Sequence, residues 1–254
     1  MEMKFFRQII FCLVCAATAL GQSTITVSPG GLSLKGTAGG TMTQRFTVAN
    51  GTSSFYKFDI EVVDVIVQNG ERKFIAAGRL PGSIAALAVA PPEPVFLNPG
   101  KDASVFVTFV VPRETNIRAV AVFFRGQPAA GEKASNIRLN LGAVIDFSMS
   151  DQIQLESKQL TIEPQTMSSN LKITEELANV GNEPVIAKGV AAILDQPGKL
   201  VGKTSFTQKR LLPSEHNSLS AEYAGSLRPG RYRIVCSFEY GGRTMTRTAE
   251  LLVP

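Results

Sequence analysis

Apolar and polar residues alternate with a period of two along most of the chain from residue 24 onward. That period puts every second side chain on a buried face, which predicts half-buried β-strands. Tyr56, Phe58, Ile60 and Val62 alternate with Lys57, Asp59 and Glu61. Val105, Val107, Phe109 and Val111 share one face of a second run, and Tyr232, Ile234, Cys236, Phe238 and Tyr240 one face of a third. The longest alternation places Ile137, Leu139, Leu141, Ala143, Ile145 and Phe147 on one side. Arg138, Asn140, Asp146 and Ser148 lie on the other, with Val144 the apolar exception. A slip of one residue would turn all the apolar groups of that strand to water, so its register is well specified.

Turn signals separate the strands: Ser28-Pro29-Gly30-Gly31, Asn50-Gly51, Asn69-Gly70, Asn98-Pro99-Gly100, Gln196-Pro197-Gly198, Arg228-Pro229-Gly230 and Gly241-Gly242. They leave little room for helices. The one candidate, 84–89, is confined to a turn or two by Pro81 and Pro91-Pro92. Many short strands with Gly/Pro turns predict antiparallel sheets packed as sandwiches. The long strand ends near Met149, polar residues follow, and a second set of strands begins. The expected fold is all-β, with two immunoglobulin-like β-sandwich domains in tandem, 22–149 and 150–254, joined at 149–155. The Ala- and Pro-rich stretch from Gly78 to Gly100 is expected to be functional or folded over an edge. Phe46, Val48, Phe58, Ile60, Val107, Phe109, Val120 and Val122 are the expected core of the first domain. Leu171, Ile173, Leu219, Tyr232, Ile234 and Cys236 are that of the second.

The first residues change the compartment. Lys4 and Arg7 precede an apolar run from Ile9 to Ala17, and small residues follow at Ala19 and Gly21. That order predicts a secretory signal peptide over 1–21, removed in the mature protein, which places it in the periplasm or outside the cell. The run is too short to span a bilayer, for which about 20 residues are needed. A lipoprotein reading on Cys15 is disfavoured by Val14, where a small residue would be wanted. The net charge of the whole chain is +5. Its basic residues are scattered, and nucleic-acid binding would want a basic stripe with stacking aromatics. Cys12 and Cys15 leave with the signal, so Cys236 stands alone and no intramolecular disulfide can form. Cys236 reads as a small buried hydrophobe, with an intermolecular disulfide as the alternative.

Enzyme chemistry finds no footing. The single His216 lies in a polar, turn-like stretch, and no G-x-S-x-G, P-loop, H-E-x-x-H or C-x-x-C occurs in the mature chain. Glu175 and Glu176 are adjacent on a strand, so they point to opposite faces and cannot act as a pair. Asn50-Gly51-Thr52 matches the glycosylation triplet and reads as a turn. No cofactor or metal is expected.

The segments ITVSPGGLSLKG, FTVANGTSSFYKFDIEV, FLNPGKDASVFVTFVVP, RAVAVFFRG and NIRLNLGAVIDFSM follow one another in a distinctive order. In that layout, over residues 24–149, the first half resembles the N-terminal domain of periplasmic pilus chaperones, within the PapD-like superfamily. The second half is similar to a generic bacterial immunoglobulin-like module. The resemblance implies that the alternating final strand is lent to an incomplete partner sandwich, its backbone completing the partner's sheet. The matching contact residues are Ile137, Leu139 and Leu141. The simpler reading is that any half-buried strand alternates. The family also holds the partner's terminal carboxylate with a basic pair. Here Ser28-Pro29-Gly30-Gly31-Leu32 lacks the family's Arg, and Asp146 stands at the Lys position. Arg118 and Arg138 are the nearest substitutes, able to grip a carboxylate with two bonds.

The implied function is a non-enzymatic, periplasmic chaperone-like protein binding exported or pilus-type polypeptides by strand addition. The alternative is a structural or adhesive cell-envelope module. The expected partner is an exported or cell-surface polypeptide, with no nucleic acid, no integral membrane span and a monomeric chain.

Overall fold

The computed structural model describes residues 24–128, 138–150, 152–166 and 169–254. The expected signal peptide and Ile137 lie outside the described residues. Among the described residues, nine strands precede residue 149: β1 (Ile25–Ser28), β2 (Gly31–Lys35), β3 (Thr41–Asn50), β4 (Tyr56–Gln68), β5 (Glu71–Ala76), β6 (Val95–Leu97), β7 (Asp102–Val110), β8 (Ala119–Pro128) and β9 (Leu139–Ser148). They form a three-stranded sheet, β1-β3-β7, and a six-stranded sheet, β2-β9-β8-β4-β5, with β6 paired to the start of β4. Among the described residues, eight more follow: β10 (Leu155–Glu163), β11 (Leu171–Asn179), β12 (Val185–Asp195), β13 (Leu200–Ser205), β14 (Lys209–Leu211), β15 (His216–Tyr223), β16 (Gly230–Tyr240) and β17 (Arg243–Val253). Their sheets are β10-β11-β15 and β13-β12-β16-β17, with β14 alongside β12. The architecture is all-β: two immunoglobulin-like sandwiches in tandem, each closed around its own apolar core.

Local chemistry sets the turns. Asn69 and Gly70 have φ of 55° and 80°, and they join β4 to β5 with Gln68 paired to Glu71. Gly241 and Gly242 do the same between β16 and β17. Two successive left-handed residues give the two-residue turn whose twist matches that of the flanking strands. Asn50 closes the end of β3. Its Nδ2 donates to the carbonyls of Ser54 and Leu97, and its Oδ1 accepts from the Thr52 N–H and hydroxyl. Asn179 repeats the device at the end of β11, donating to the carbonyls of Glu183 and Leu211 and accepting from the Gly181 N–H.

The expected core is buried except at two positions. Phe46, Val48, Phe58, Val107, Phe109, Val120 and Val122 are inaccessible, as are Leu171, Ile173, Leu219, Ile234 and Cys236. Ile60 is only half-buried. The six-stranded sheet is wider than the three-stranded sheet facing it, and β4 lies at the overhang, where Ile60, Val62 and Ile66 pack on the core from its rim. Tyr232 is half-buried because its hydroxyl reaches out to donate to the Arg228 carbonyl, 2.8 Å away. The overhang is covered by the stretch from Gly78 to Gly100. The candidate helix there is a single 3-10 turn, Ala85–Leu87. Asp64, fully buried on β4, accepts from the Ser83 hydroxyl at 2.6 Å and the Ala85 N–H at 2.9 Å. Those bonds, the buried Ile84 and a bridge from Val89 to Thr108 of β7 fold the stretch onto the sandwich.

Candidate functional site

Strand β9 is sealed at one end and open at the other. It pairs antiparallel with β8 from Gly126↔Leu139 to Ala119↔Asp146. On its other side β2 runs parallel to it, but only from Gly31↔Val144 to Lys35↔Ser148. Among the described residues, no strand pairs with 139–143 on that side. The Phe147 N–H donates to the Arg118 carbonyl on β8's side, at 2.8 Å, and the Val144 N–H donates to the Gly30 carbonyl on β2's side, at 3.2 Å. Strand parity then turns the backbone N–H and C=O groups of Asn140 and Gly142 outward, along the row that β2 leaves unfilled. Ala143, Ile145 and Phe147 are fully buried, whereas Leu139 and Leu141 are half-buried against the rim of the core. An unpaired edge with alternating apolar side chains is a template for another strand.

The two basic candidates differ. Arg138 is exposed at the mouth of this edge. Arg118 is half-buried, with its Nε 3.5 Å from a carboxylate oxygen of Glu183 and its Nη1 donating to the Thr115 carbonyl at 2.8 Å. That guanidinium already faces a carboxylate of its own chain.

Asp146 departs from its expected place on a polar, solvent-facing side. It is 1% exposed, because the second sandwich covers the outer face of the six-stranded sheet. Ser33 of β2 donates to it at 2.6 Å, and Arg210 of β14 lies 2.9 Å away as an ion pair. Burial pushes its carboxyl above the ordinary range, opposed by Ser33, Arg210 and Arg72. Gly31 makes room for this pair, since a Cβ there would stand 3.2 Å from the Arg210 guanidinium.

Further pairs tie the sandwiches together. Arg72 of β5 grips Glu215 with two bonds of 2.9 Å and donates to the Arg210 carbonyl at 2.7 Å. Glu183 accepts from the Met149 N–H at 2.8 Å and the Ser150 hydroxyl at 2.9 Å. The His216 N–H donates to the Gly70 carbonyl at 3.1 Å, while the His216 ring side is exposed. Between these polar contacts Leu212 packs on Val63, Val65, Ala119 and Ala121, with Val144 and Phe123 at the margin. Val144 was the apolar exception of its alternation; this interface is its reason.

Sequence reasoning did not find Arg72, Arg210, Glu183 or Glu215. The paired residues lie far apart along the chain, 143 residues in Arg72–Glu215, so no local spacing marks them. The usable signal was apolar residues on both faces of β4 and β8, Val63 and Val65 opposite Phe58, and an unbroken run from Ala119 to Phe124. Two covered faces are what such runs mean.

In the second sandwich, Glu175 and Glu176 do point to opposite faces. Glu175 is fully buried and accepts from the Ser157 hydroxyl, while Glu176 is half-buried. Burial raises the Glu175 carboxyl above its ordinary value, against Ser157 and Arg247. Cys236 is fully buried and its thiol is pushed up to about 12 by burial and by Glu175. Among the described residues no group of His, Cys, Asp and Glu could hold a metal, and no helix is long and apolar enough to cross a membrane.

No protein-family model and no curated protein matches this chain. Solved structures similar to it include pilus chaperones, the class the sequence resembles. The class 5 fimbriae chaperone CfaA is 16% identical, with 91% of this chain and 100% of that one covered and a TM-score of 0.44. The CsuC–CsuE chaperone–tip adhesion subunit complex of Acinetobacter baumannii gives 10% identity, 89% and 97% coverage and a TM-score of 0.42. The SafA pilin–SafB chaperone complex of Salmonella enterica gives 12% identity, 91% and 96% coverage and a TM-score of 0.42. All three TM-scores lie below 0.5, so the functional reading rests on the geometry of β9.

Proposed function

We propose that this chain is a periplasmic, non-enzymatic, chaperone-like protein that binds exported or pilus-type polypeptides by β-strand addition. Its two domains, 22–149 and 150–254, work without a cofactor after removal of residues 1–21. The observation that carries this reading is the open half of β9, with Asn140 and Gly142 offering backbone groups and Leu139 and Leu141 half-buried beside them. Ile137 extends the same alternation by one step. Arg138, exposed at the mouth, is the cation left for a partner's terminal carboxylate; Arg118 is engaged with Glu183.

The test is a chain carrying Ile137→Ser, Leu139→Ser and Leu141→Ser, read by thermal unfolding and by identification of polypeptides that co-purify from the periplasm. The expected result is a folded first sandwich that has lost its partner. A folded variant that still captures the partner overturns strand addition at this edge, as does a first sandwich that unfolds. A second reading, a structural or adhesive envelope module, is favoured by one observation: the guanidiniums of Arg72, Arg118 and Arg210 all face carboxylates of this chain. Peptides with free and amidated C-termini separate the two. Equal binding by the wild type and by Arg138→Ala removes the carboxylate site and supports the module.

A further inference from the structure

One continuous row of backbone groups runs along the β2 side of β9. The Val144 N–H donates to the Gly30 carbonyl at 3.2 Å, and the Gly36 N–H donates to the Ser148 carbonyl at 2.9 Å. Asn140, Gly142, Val144, Asp146 and Ser148 therefore turn their backbone groups to that side, while Ile145 and Phe147 turn theirs to β8. β2 divides the row into a sealed part and an open part.

The first sandwich holds β2 lightly. It is the end strand of the six-stranded sheet, and β9 is its one strand partner among the described residues. None of its five residues is fully buried, and Leu32 and Leu34 are half-buried against the rim of the core. Glycines stand at both ends, Gly30 and Gly31 before Leu32 and Gly36 after Lys35.

The second sandwich adds a further hold. Arg210 of β14 reaches across the interface, its guanidinium against Gly31 and its Nε 2.9 Å from Asp146 Oδ1. The other oxygen of Asp146 accepts from the Ser33 hydroxyl at 2.6 Å. A chain of contacts, Arg210 to Asp146 to Ser33, thus joins β14, β9 and β2. The Arg210 side chain is 25% exposed and Asp146 is 1% exposed. Little water screens the pair, which strengthens it. The Arg210 backbone is anchored in turn, because Arg72 of β5 donates to its carbonyl at 2.7 Å.

We propose that Arg210 is a latch by which the second sandwich pins β2 to β9. Its release frees β2 and extends the open row from Asn140 and Gly142 through to Ser148. The latch belongs to the free chain. Its use rests on the strand-addition reading: the contact between the sandwiches then sets how long a partner strand β9 can take.

The test is backbone amide exchange of the free protein, read residue by residue by NMR, for the wild type and Arg210→Met. A second variant, Arg210→Met with Asp146→Asn, leaves no unpaired charge in the interface and keeps the test valid where the single change fails to fold. In either variant the amides of Leu32, Leu34, Gly36, Val144, Asp146 and Ser148 should exchange about tenfold faster, the scale of losing one contact to a charged group. The amides of Ile145 and Phe147, which face β8, should keep their protection, as should those pairing β3 with β7. General loosening of the sandwich would move both sets, so an equal rise in both overturns the latch. Unchanged exchange in the β2-facing set also overturns it. Neither result touches strand addition at Leu139–Ala143, which is open with β2 in place.

Discussion

Glu175 is a carboxylate in the core of a sandwich, with one oxygen served by Ser157 and the other without a hydrogen-bond partner. Its folded pKa lies above the unfolded value because burial disfavours the charge. The folded state then binds the proton more tightly, so this residue's contribution to stability is full below the ordinary carboxylate range. It is lost as pH rises through the raised value. Urea unfolding of the second sandwich across pH should show this slope, about 1.4 kcal/mol per pH unit at its steepest for one proton. Glu175→Gln should remove it; an unchanged slope would place the titration elsewhere. Cys236 makes a companion measurement. With its thiol pushed up to about 12 and no surface exposed, it should resist thiol reagents in the folded protein and react on unfolding.

Strand β9 carries its function as a gradient. Its alternation was legible in the sequence, and so was the inward face from Ala143 to Phe147. What the alternation could not reveal is where the strand's second neighbour stops, because that depends on where β2 leaves the row at Gly31. The consequence is unequal sensitivity along one face. Ile145→Ala should cost about 2–5 kcal/mol, as for a fully buried aliphatic side chain. Leu139→Ser and Leu141→Ser, half-buried, should each cost clearly less. Chemical denaturation of the three variants checks the order, and equal costs would mean the outer half of β9 is sealed. The polar side misled in the opposite direction. Asp146 alternates like a solvent-facing residue, yet the face it occupies is covered by the second sandwich. Turn chemistry was the most directly readable layer. Asn69-Gly70 and Gly241-Gly242 lie where two left-handed residues are required, and at Gly70 the His216 ring also stands 3.2 Å from where a Cβ would sit.

The two sandwiches are joined by carboxylates that are buried and arginines that are less so. Glu215 is 5% exposed and takes both Arg72 bonds, while its second oxygen also accepts from the Leu212 N–H at 2.7 Å. Removing Arg72 leaves that charge unpaired inside the interface. Arg72→Ala should therefore cost about 3–5 kcal/mol. Calorimetry should show one cooperative transition for the wild type and two for the variant; a single shifted transition in the variant would mean the apolar contact of Leu212 suffices to couple the sandwiches. The sequence predicted two sandwiches but not this coupling, because its partners lie on β5, β9, β14, at Arg118 just before β8, and in the loops around Glu183 and Glu215.

The parallel run of β2 along β9 has a mechanical consequence. A force drawing the N-terminal end of the first sandwich away from the second would slide β2 along β9. The five paired positions from Gly31↔Val144 to Lys35↔Ser148 would then carry the load together, in shear. By contrast, the β1–β3 pairing upstream is antiparallel and can be peeled one residue at a time from Ile25. Pulled between its ends, the first sandwich should yield in two stages, a soft release of β1 and then an abrupt rupture at β2. The rupture force would be set by a ladder that ends where the open edge of β9 begins.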